Sequence, residues 1–365
     1  GCGRQNDKKK VFNDITGKYH IPALASPGEG AYLKGELIYP MHNTPTPQCH
    51  ASTIVETPAG LVTAFFAGTE EKHPDVGIRV SRMLNGKWTW PEEVANGVQN
   101  DTLRYPCWNP VLFFPDGGNL MLFYKVGPDP RTWWGMVMTS ADNGATWSEP
   151  QKLGQHPEIG HLLGPIKNKP IQLQDGTIIS PTSIEHVKEK GEDPDWRVYF
   201  EISKDTGRTW EIVRPINDGI TFDAIQPSLL TYTDGRLQAI CRTRQNVLAQ
   251  SWSADAGKTW SAMTALDLPN PNSGTDAVTL DDGRQLLIYN HSTKEGEEPK
   301  GRNLLNLAIS EDGAGWKPVM TLENEVVDDG YAYPAIIQSS DGLVHITYTY
   351  NRRSVKYVLI DPDQL

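Results

Sequence analysis

Ser140-Ala-Asp-Asn-Gly-Ala-Thr-Trp147 is one of three copies of the octapeptide S-x-D-x-G-x-T-W in this chain. The others are SKDTGRTW at 203–210 and SADAGKTW at 253–260, and a shorter variant, SEDGAGW, covers 310–316. Within each copy, the Asp carboxylate can accept backbone hydrogen bonds in a tight turn, and the Gly supplies the positive φ that this turn needs. We therefore expect each copy to close one β-hairpin, with its Trp packed against the sheet that contains the hairpin.

A second repeat, out of phase with the first, consists of a D-G or A-G turn followed by an alternating apolar strand. Its six copies begin at Ala59, Asp116, Asp175, Asp234, Asp282 and Asp341. The period of roughly 50 to 60 residues is close to the length of a four-stranded propeller blade. No helical stripe of apolar residues continues for three turns, and Gly and Pro interrupt every short strand. The sequence therefore predicts an all-β fold, a six-bladed β-propeller.

The repeats continue from about residue 51 to 350 without a low-complexity linker. We therefore interpret residues 17–365 as a single propeller domain and residues 1–16 as a flexible polar tether. The strand at 32–40 and the terminal segment at 357–362 are expected to join the same blade, because pairing them removes an exposed sheet edge.

The composition argues against several classes of partner and cofactor. The net charge is −11 and the basic run at 8–10 is short, which disfavours nucleic acid and anionic membrane surfaces. No run of about 18 apolar residues is present, so no transmembrane span is predicted. Cys49, Cys107 and Cys241 lack the C-x-x-C spacing of zinc sites, and we expect them in the core. No metal or cofactor is predicted, and a monomer is expected.

Gly1-Cys2-Gly3, followed by a polar stretch, resembles the start of a processed bacterial lipoprotein. Under this interpretation Cys2 carries a lipid anchor, and the protein is exported to the periplasm or outer membrane. The alternative is an ordinary cysteine near a trimmed terminus.

The Asp boxes, the hairpin period and several residues outside them resemble the sialidase (neuraminidase) superfamily in its BNR-repeat branch. Asp boxes indicate fold better than chemistry, because they also occur in non-catalytic propellers. The resemblance implies an exo-glycosidase that acts on a terminal acidic sugar of a glycan. It also implies an arginine triad on the substrate carboxylate, an Asp as general acid/base, and a Tyr nucleophile activated by a Glu.

Four residues of this chain match positions of that catalytic pattern. Tyr333, in AYPAI at 332–336, matches the nucleophile, and Asp75, in HPDV at 73–76, matches the general acid/base. Arg242, at the end of GRLQAICR, and Arg302, in KGRNLLNLAIS, match two arginines of the triad. We expect both to bind a sugar carboxylate, because a guanidinium can bind a carboxylate through two hydrogen bonds.

Three positions depart from the pattern. His50 stands where the first arginine is expected, Gln226 where the activating Glu is expected, and Tyr348 where a second Glu is expected. A Gln side chain can donate a hydrogen bond but cannot take a proton. The coupled departures favour a modified pocket, with His50 as a neutral or weakly charged wall and Gln226 beside the nucleophile.

Other residues are candidates for acid/base chemistry or sugar binding. Glycoside cleavage usually requires two carboxyl groups, and Asp75 together with Glu185, Glu201 or Asp276 would supply them. Loop aromatics and polar groups that can bind a pyranose are Trp108, Asn109, Trp133, Trp134, Trp196 and Lys167. Core packing is the alternative role for the aromatic residues.

Three functions are therefore open. The first is a sialidase-type exo-glycosidase that uses Tyr333 and Asp75. The second is a glycosidase or lyase that removes another terminal sugar with a carboxylate pair. The third is a propeller that binds glycans without turnover.

Overall fold

The computed structural model describes residues 11–186, 195–214 and 216–365. Within these residues, regular structure consists of 27 β-strands and three short 3-10 helices, at Thr16–Lys18, Gly301–Asn303 and Pro362–Gln364. The strands form six antiparallel sheets of four or five strands and one small hairpin. This arrangement confirms the six-bladed β-propeller.

The first strand, β1 (Tyr32–Leu37), precedes blade 1 in the chain but belongs to blade 6. Blade 1 contains β2 (Gln48–Thr57), β3 (Gly60–Gly68), β4 (Gly77–Leu84), β5 (Lys87–Trp88) and β6 (Glu92–Ala95). Blade 2 contains β7 (Cys107–Phe113), β8 (Leu120–Val126), β9 (Trp134–Ser140) and β10 (Gln151–Lys152). A small hairpin of β11 (Gln155–His156) and β12 (Gly160–His161) then leads to the third blade.

The other blades follow the same order from the inner to the outer strand. Blade 3 contains β13 (Ile171–Gln172), β14 (Ile178–His186), β15 (Asp195–Ser203) and β16 (Glu211–Val213). Blade 4 contains β17 (Ala224–Thr231), β18 (Leu237–Thr243), β19 (Val247–Ser253) and β20 (Thr264–Pro269). Blade 5 contains β21 (Asp276–Thr279), β22 (Gln285–Tyr289), β23 (Leu305–Ser310) and β24 (Lys317–Glu323). Blade 6 contains β25 (Tyr331–Gln338), β26 (Val344–Tyr350) and β27 (Ser354–Ile360), together with β1.

The two ends of the described chain contact the body of the propeller. Strand β1 pairs antiparallel with β27, so the N- and C-terminal segments share one sheet. The ring of Phe12 stacks on Phe222 at 5.0 Å, which places part of the expected tether against blade 4. Residues 1–10, including the predicted lipid site Cys2, lie outside the described residues. Among the described residues there is no candidate for a membrane-spanning helix.

Each Asp box forms the turn between the two outer strands of its blade. The carboxylate of Asp142 accepts hydrogen bonds from the backbone nitrogen and hydroxyl of Thr146, at 2.8 and 2.6 Å. Asp205 and Asp255 bond to Thr209 and Thr259 in the same way. Because these bonds span only four residues, the turn of each box is defined by its own short segment of sequence.

The Asp-box tryptophans correct one expectation. Trp260 stacks on Phe200 of the preceding blade, with ring centroids 4.4 Å apart. Trp210 likewise meets Phe123 of the preceding blade edge-on at 6.2 Å. The expectation that each Trp packs against its own sheet was therefore incomplete for these two boxes, because each indole also contacts the preceding blade. The indole covers the apolar seam between neighbouring blades, because the outer turn lies beside the adjacent sheet.

Apolar side chains fill the seams between blades. Leu230 of blade 4, for example, shares a buried cluster with Leu287 and Tyr289 of blade 5. Full burial of such a side chain is worth about 1.5–3 kcal/mol. Cys49, Cys107 and Cys241 are buried and unpaired, as expected for core thiols.

Candidate functional site

The inner strands of four blades carry a β-bulge at corresponding positions. The pairing register shifts after His50 in β2, Trp108 in β7, Ile225 in β17 and Ala332 in β25. The residue that follows each of these has a left-handed backbone, namely Ala51, Asn109, Gln226 and Tyr333, with φ between 36° and 62°. A bulge changes the direction of a side chain, and strained backbone often clusters at functional sites.

Three of the left-handed residues, Asn109, Gln226 and Tyr333, line one cavity of about 430 Å³. Five other residues considered from the sequence line the same cavity: Trp108, Trp133, Glu185, Trp196 and Arg242. The structure thus brings together residues from blades 2, 3, 4 and 6.

Tyr333 lies at the centre of a hydrogen-bonded group in this cavity. Its Oη accepts hydrogen bonds from Arg242 Nη1 at 2.8 Å and from Gln226 Nε2 at 3.0 Å. Arg242 Nη1 also donates to Gln226 Oε1 at 3.2 Å. Gln226 therefore donates to the phenol oxygen, whereas a general base would have to accept its proton.

His50 and Arg302 lie against the ring of Tyr333 but do not line the cavity. The ring centroids of His50 and Tyr333 are 4.0 Å apart, and His50 Nδ1 is 3.0 Å from Thr349 Oγ1. Burial, followed by the charges of Arg352 and Arg302, lowers the pKa of His50 well below its usual value. The His50 side chain is therefore neutral at pH 7. The Arg302 guanidinium lies 5.4 Å from the Tyr333 ring centroid, and burial lowers its pKa to about 10.

Lys167 and Asp276 lie next to this group, and their polar atoms already have partners. Lys167 Nζ donates to Asn168 Oδ1 and to the Thr275 carbonyl, both at 2.8 Å, and to the Pro334 carbonyl. Burial lowers the pKa of Lys167 to about 7. The Asp276 carboxylate accepts hydrogen bonds from Ser228, Lys169 and the backbone of Ile336. Lys167 therefore connects the segment before blade 3 to blades 5 and 6, and Asp276 connects blade 5 to blades 4 and 6.

Glu201 is also occupied within the protein. Its carboxylate is fully buried and accepts hydrogen bonds from the backbone of Leu163 and Gly164 and from the Tyr199 hydroxyl. Burial raises its pKa, although these hydrogen bonds oppose the shift. Neither Glu201 nor Asp276 lines the cavity that contains Tyr333.

The structure does not bring Asp75 to the cavity. Its carboxylate accepts hydrogen bonds from the backbone nitrogen and hydroxyl of Thr69, at 2.9 and 2.5 Å, within its own loop. Burial alone would raise the pKa of Asp75, but the bonds from Thr69 and the nearby His73 outweigh burial and lower it. Glu71 and Lys72 of the same β3–β4 loop line the cavity instead. Their side-chain directions depend on the path of that loop, and no sequence motif marked them.

Two other charged residues that the sequence analysis missed come from the loop after β8. Asp129 and Arg131 line the cavity, and Arg131 binds both carboxylate oxygens of Asp129, through Nε at 3.1 Å and Nη2 at 2.9 Å. The D-P-R spacing was the available signal, because an Asp two residues before an Arg in a turn can form this pair locally.

Glu185 differs from Asp129 in having no hydrogen bond to its carboxylate from any residue that the structure describes. Burial raises the pKa of Glu185, the charge of Arg242 opposes this, and the charges of Glu71 and Asp129 add to it. Glu71, in contrast, has an ion-pair partner, because Arg352 Nη1 lies 3.8 Å from its Oε1. The cavity therefore holds two glutamates in different electrostatic environments.

Three tryptophans form rigid walls of the cavity. Trp108 donates from Nε1 to the Gly127 carbonyl at 2.8 Å and meets Trp133 edge-on at 5.6 Å. The guanidiniums of Arg242 and Arg244 lie 5.6 and 5.5 Å from the Trp196 ring. Fixed aromatic faces beside cationic groups are suited to a ligand that combines an apolar face with an anionic group.

Comparison with proteins of known structure gives the same fold. A protein of unknown function from Dyadobacter fermentans DSM 18053 has a TM-score of 0.73 and 18% identity, over 90% of this chain and 98% of that one. The Hadza microbial sialidase Hz136 also has a TM-score of 0.73, with 17% identity over 90% of this chain and 68% of that one. The NanB sialidase from Streptococcus pneumoniae has a TM-score of 0.69 and 13% identity, over 88% of this chain and 70% of that one.

Among curated proteins, the anhydrosialidase of Macrobdella decora is 25% identical over 252 residues. The match covers 63% of this chain and 31% of that protein, so the chain spans about a third of this relative's length. The model of the BNR repeat-like domain family matches residues 59–346. The chain therefore belongs to the BNR repeat-like domain family and has a sialidase-like six-bladed propeller fold.

Proposed function

We propose that this chain is an exo-acting glycoside hydrolase that removes a terminal acidic sugar from a glycan. The observation that carries this proposal is the position of Arg242 in a cavity walled by tryptophans. Its Nε and Nη1 donate to Asn272, Tyr333 and Gln226. No acceptor for Nη2 occurs among the described residues, so this nitrogen is available to a sugar carboxylate. A charge-assisted hydrogen bond of this kind contributes about 1.5–3 kcal/mol.

The electrostatics around Arg242 also favour an anionic ligand. Burial, together with the charges of Arg242, Arg244 and Arg302, lowers the pKa of Lys294. Burial and the charges of Arg242 and Arg352 likewise lower the pKa of Arg302. Cations that repel one another beside a cavity are stabilised when an anion binds near them. This patch contrasts with the net charge of −11 of the whole chain.

A second candidate is a glycosidase that removes another terminal sugar with a carboxylate pair. The hydrogen bond from Gln226 to Tyr333 favours it, because the phenol then has no neighbouring base in the hydrogen-bonded group. A propeller that binds glycans without turnover is the remaining alternative.

The test is to incubate the protein with a panel of terminally capped glycans and to identify any released monosaccharide by mass. Release of an acidic sugar, reduced in Arg242→Ala but not in Arg214→Ala, is the expected result. Arg214 is a suitable control because its side chain is 81% exposed and lies outside the cavity. Release of a neutral sugar would favour the second candidate. Glycan binding without release, measured by calorimetry, would contradict hydrolysis.

A further inference from the structure

We infer that Glu185 and Glu71 are the catalytic acid and base of this cavity, acting across the bound sugar in a single displacement by water. The inference rests on the proposed function and replaces the roles that the family resemblance implies for Tyr333 and Asp75. It assigns the chemistry to two carboxyl groups that line one cavity together with Arg242.

The surroundings of Tyr333 argue against it as the nucleophile. Arg242 and Gln226 both donate to Oη, so the phenol proton must point away from both. The His50 ring packs on the ring of Tyr333, and its Nδ1 forms a hydrogen bond with Thr349 Oγ1. A hydroxyl nucleophile requires an adjacent base. None of Arg242, Gln226 and His50 takes that role. Tyr333 is then a wall of the cavity that orients Arg242.

Glu185 has the environment of a general acid. Its carboxylate has no hydrogen-bond donor among the described residues, and burial raises its pKa. The charged groups that face it are Arg242 from β18, Glu71 and Lys72 from the β3–β4 loop, and Asp129 from the loop after β8. Of these, the two carboxylates reinforce the effect of burial, whereas Arg242 and Lys72 oppose it. A carboxyl group whose pKa is raised keeps its proton to a higher pH than an exposed one does, as a group that protonates a leaving oxygen requires.

Glu71 has the environment of a base. It comes from the β3–β4 loop of blade 1, and Arg352 Nη1 lies 3.8 Å from its Oε1. Arg352 is held in place because its carbonyl accepts a hydrogen bond from Cys49 nitrogen at 2.8 Å. Asp129 is less suited to this role, because Arg131 occupies both of its oxygens. Glutamates in unlike environments can take opposite roles in one reaction.

The reaction balances with water as the only co-substrate. Glu185 transfers its proton to the glycosidic oxygen as the bond from this oxygen to the anomeric carbon breaks. A water oxygen forms the new bond to that carbon from the other face and gives one proton to Glu71. The products are the free sugar and the shortened glycan, and solvent returns the proton from Glu71 to Glu185. Such a single displacement inverts the anomeric configuration.

The experiment compares Glu185→Gln, Glu71→Gln and Tyr333→Phe on two substrates of the sugar identified by the panel. One substrate is the natural glycan, and the other is an aryl glycoside whose phenol leaves without protonation. We expect Glu185→Gln to lose about 10²- to 10⁴-fold in kcat/KM on the glycan and far less on the aryl glycoside. Glu71→Gln should lose activity on both. Tyr333→Phe removes the acceptor that orients Arg242, so it should raise KM but lose far less kcat than either glutamine variant. The first product seen by NMR should have inverted configuration.

Matched controls are Glu70→Gln, next to Glu71 in the same loop, and Glu158→Gln, which is exposed and outside the cavity. The basic limb of the kcat/KM pH profile should disappear in Glu185→Gln, which a merely structural loss would not produce. If the panel releases no sugar, the proposed function itself fails. If sugar is released, but Tyr333→Phe abolishes turnover and both glutamine variants retain it, or the first product retains configuration, the inference fails and the proposed function stands.

Discussion

The Gln226 amide donates to the phenol oxygen of Tyr333 at 3.0 Å, across 107 residues of sequence. Replacement by Glu reverses this contact, since a carboxylate accepts hydrogen bonds and adds a negative charge beside Arg242. We expect Gln226→Glu to weaken binding of an acidic sugar by about 1.5–3 kcal/mol, because the new charge competes for the guanidinium. Calorimetric titration with the free sugar measures this change. Gln151→Glu, at an exposed site, is the control. Faster turnover in Gln226→Glu would instead identify Tyr333 as a nucleophile that lacked its base.

Arg242 and Arg302 should differ in their effects on binding. Arg242 lines the cavity, whereas Arg302 lies against the Tyr333 ring and does not line it. We expect Arg242→Ala to weaken binding of an acidic sugar about 10- to 100-fold, which corresponds to the loss of one charge-assisted contact. Arg302→Ala should weaken binding less, because Arg302 acts only through the electric field of its charge and through its packing against Tyr333. Equal affinities for wild type and Arg242→Ala would place the anion site elsewhere.

Gly274 lies so close to the hydrogen-bonded group that any side chain there disturbs it. A Cβ at this position would lie 2.9 Å from Gln226 Oε1, 3.0 Å from Lys167 Cε and 3.2 Å from Tyr333 Cδ1. We expect Gly274→Ala to lower the free energy of unfolding by about 1–3 kcal/mol, as other overpacked sites do, and to reduce turnover. Urea denaturation and kcat measure the two effects. Gly17→Ala is the control, since nothing lies within 4 Å of its added Cβ. Unchanged values in Gly274→Ala would show that the cavity adapts easily.

The Asp boxes should make the thermal stability of the protein depend on pH in the acidic range. Hydrogen bonds, chiefly from the hydroxyls of Thr146, Thr209 and Thr259, lower the pKa of Asp142, Asp205 and Asp255 from 3.8 to about 2. Because the pKa values in the folded state are depressed, this stabilisation is present above about pH 4 and is lost as the pH falls towards 2. The triple variant with Asn at these positions should have a lower Tm than wild type at pH 7. This difference should shrink between about pH 4 and 2.

The control for the Asp-box experiment is Asp101→Asn, at an exposed position outside the boxes. Its Tm should follow that of wild type at every pH. A Tm difference for the triple variant that stays constant down to pH 2 would show that the carboxylates stabilise the boxes by shape and not by charge.

The family resemblance set Gln226 beside Tyr333 and gave Arg242 a place in the same site, and the structure has all three within hydrogen-bonding distance of one another. Gln226 and Tyr333 follow corresponding bulges of inner strands, which approach one axis in a propeller, whereas Arg242 comes from the second strand of blade 4. The carboxyl groups were harder to place. Asp75 and Glu71 are in the same loop, and only the path of that loop decides which one faces the cavity.

What the sequence by itself determined is the repeat architecture. The bonds that define an Asp box, such as those from Thr146 to Asp142, join residues four apart, and the D-G turns are equally local, so both can be recognised from short segments. Only the tertiary structure decided which charged groups share the cavity and which are occupied. Lys167 is bound to carbonyls as many as 167 positions away, and Glu71 faces Arg352 from another blade. Such partners depend on how loops from different blades converge, and no local pattern encodes their distances.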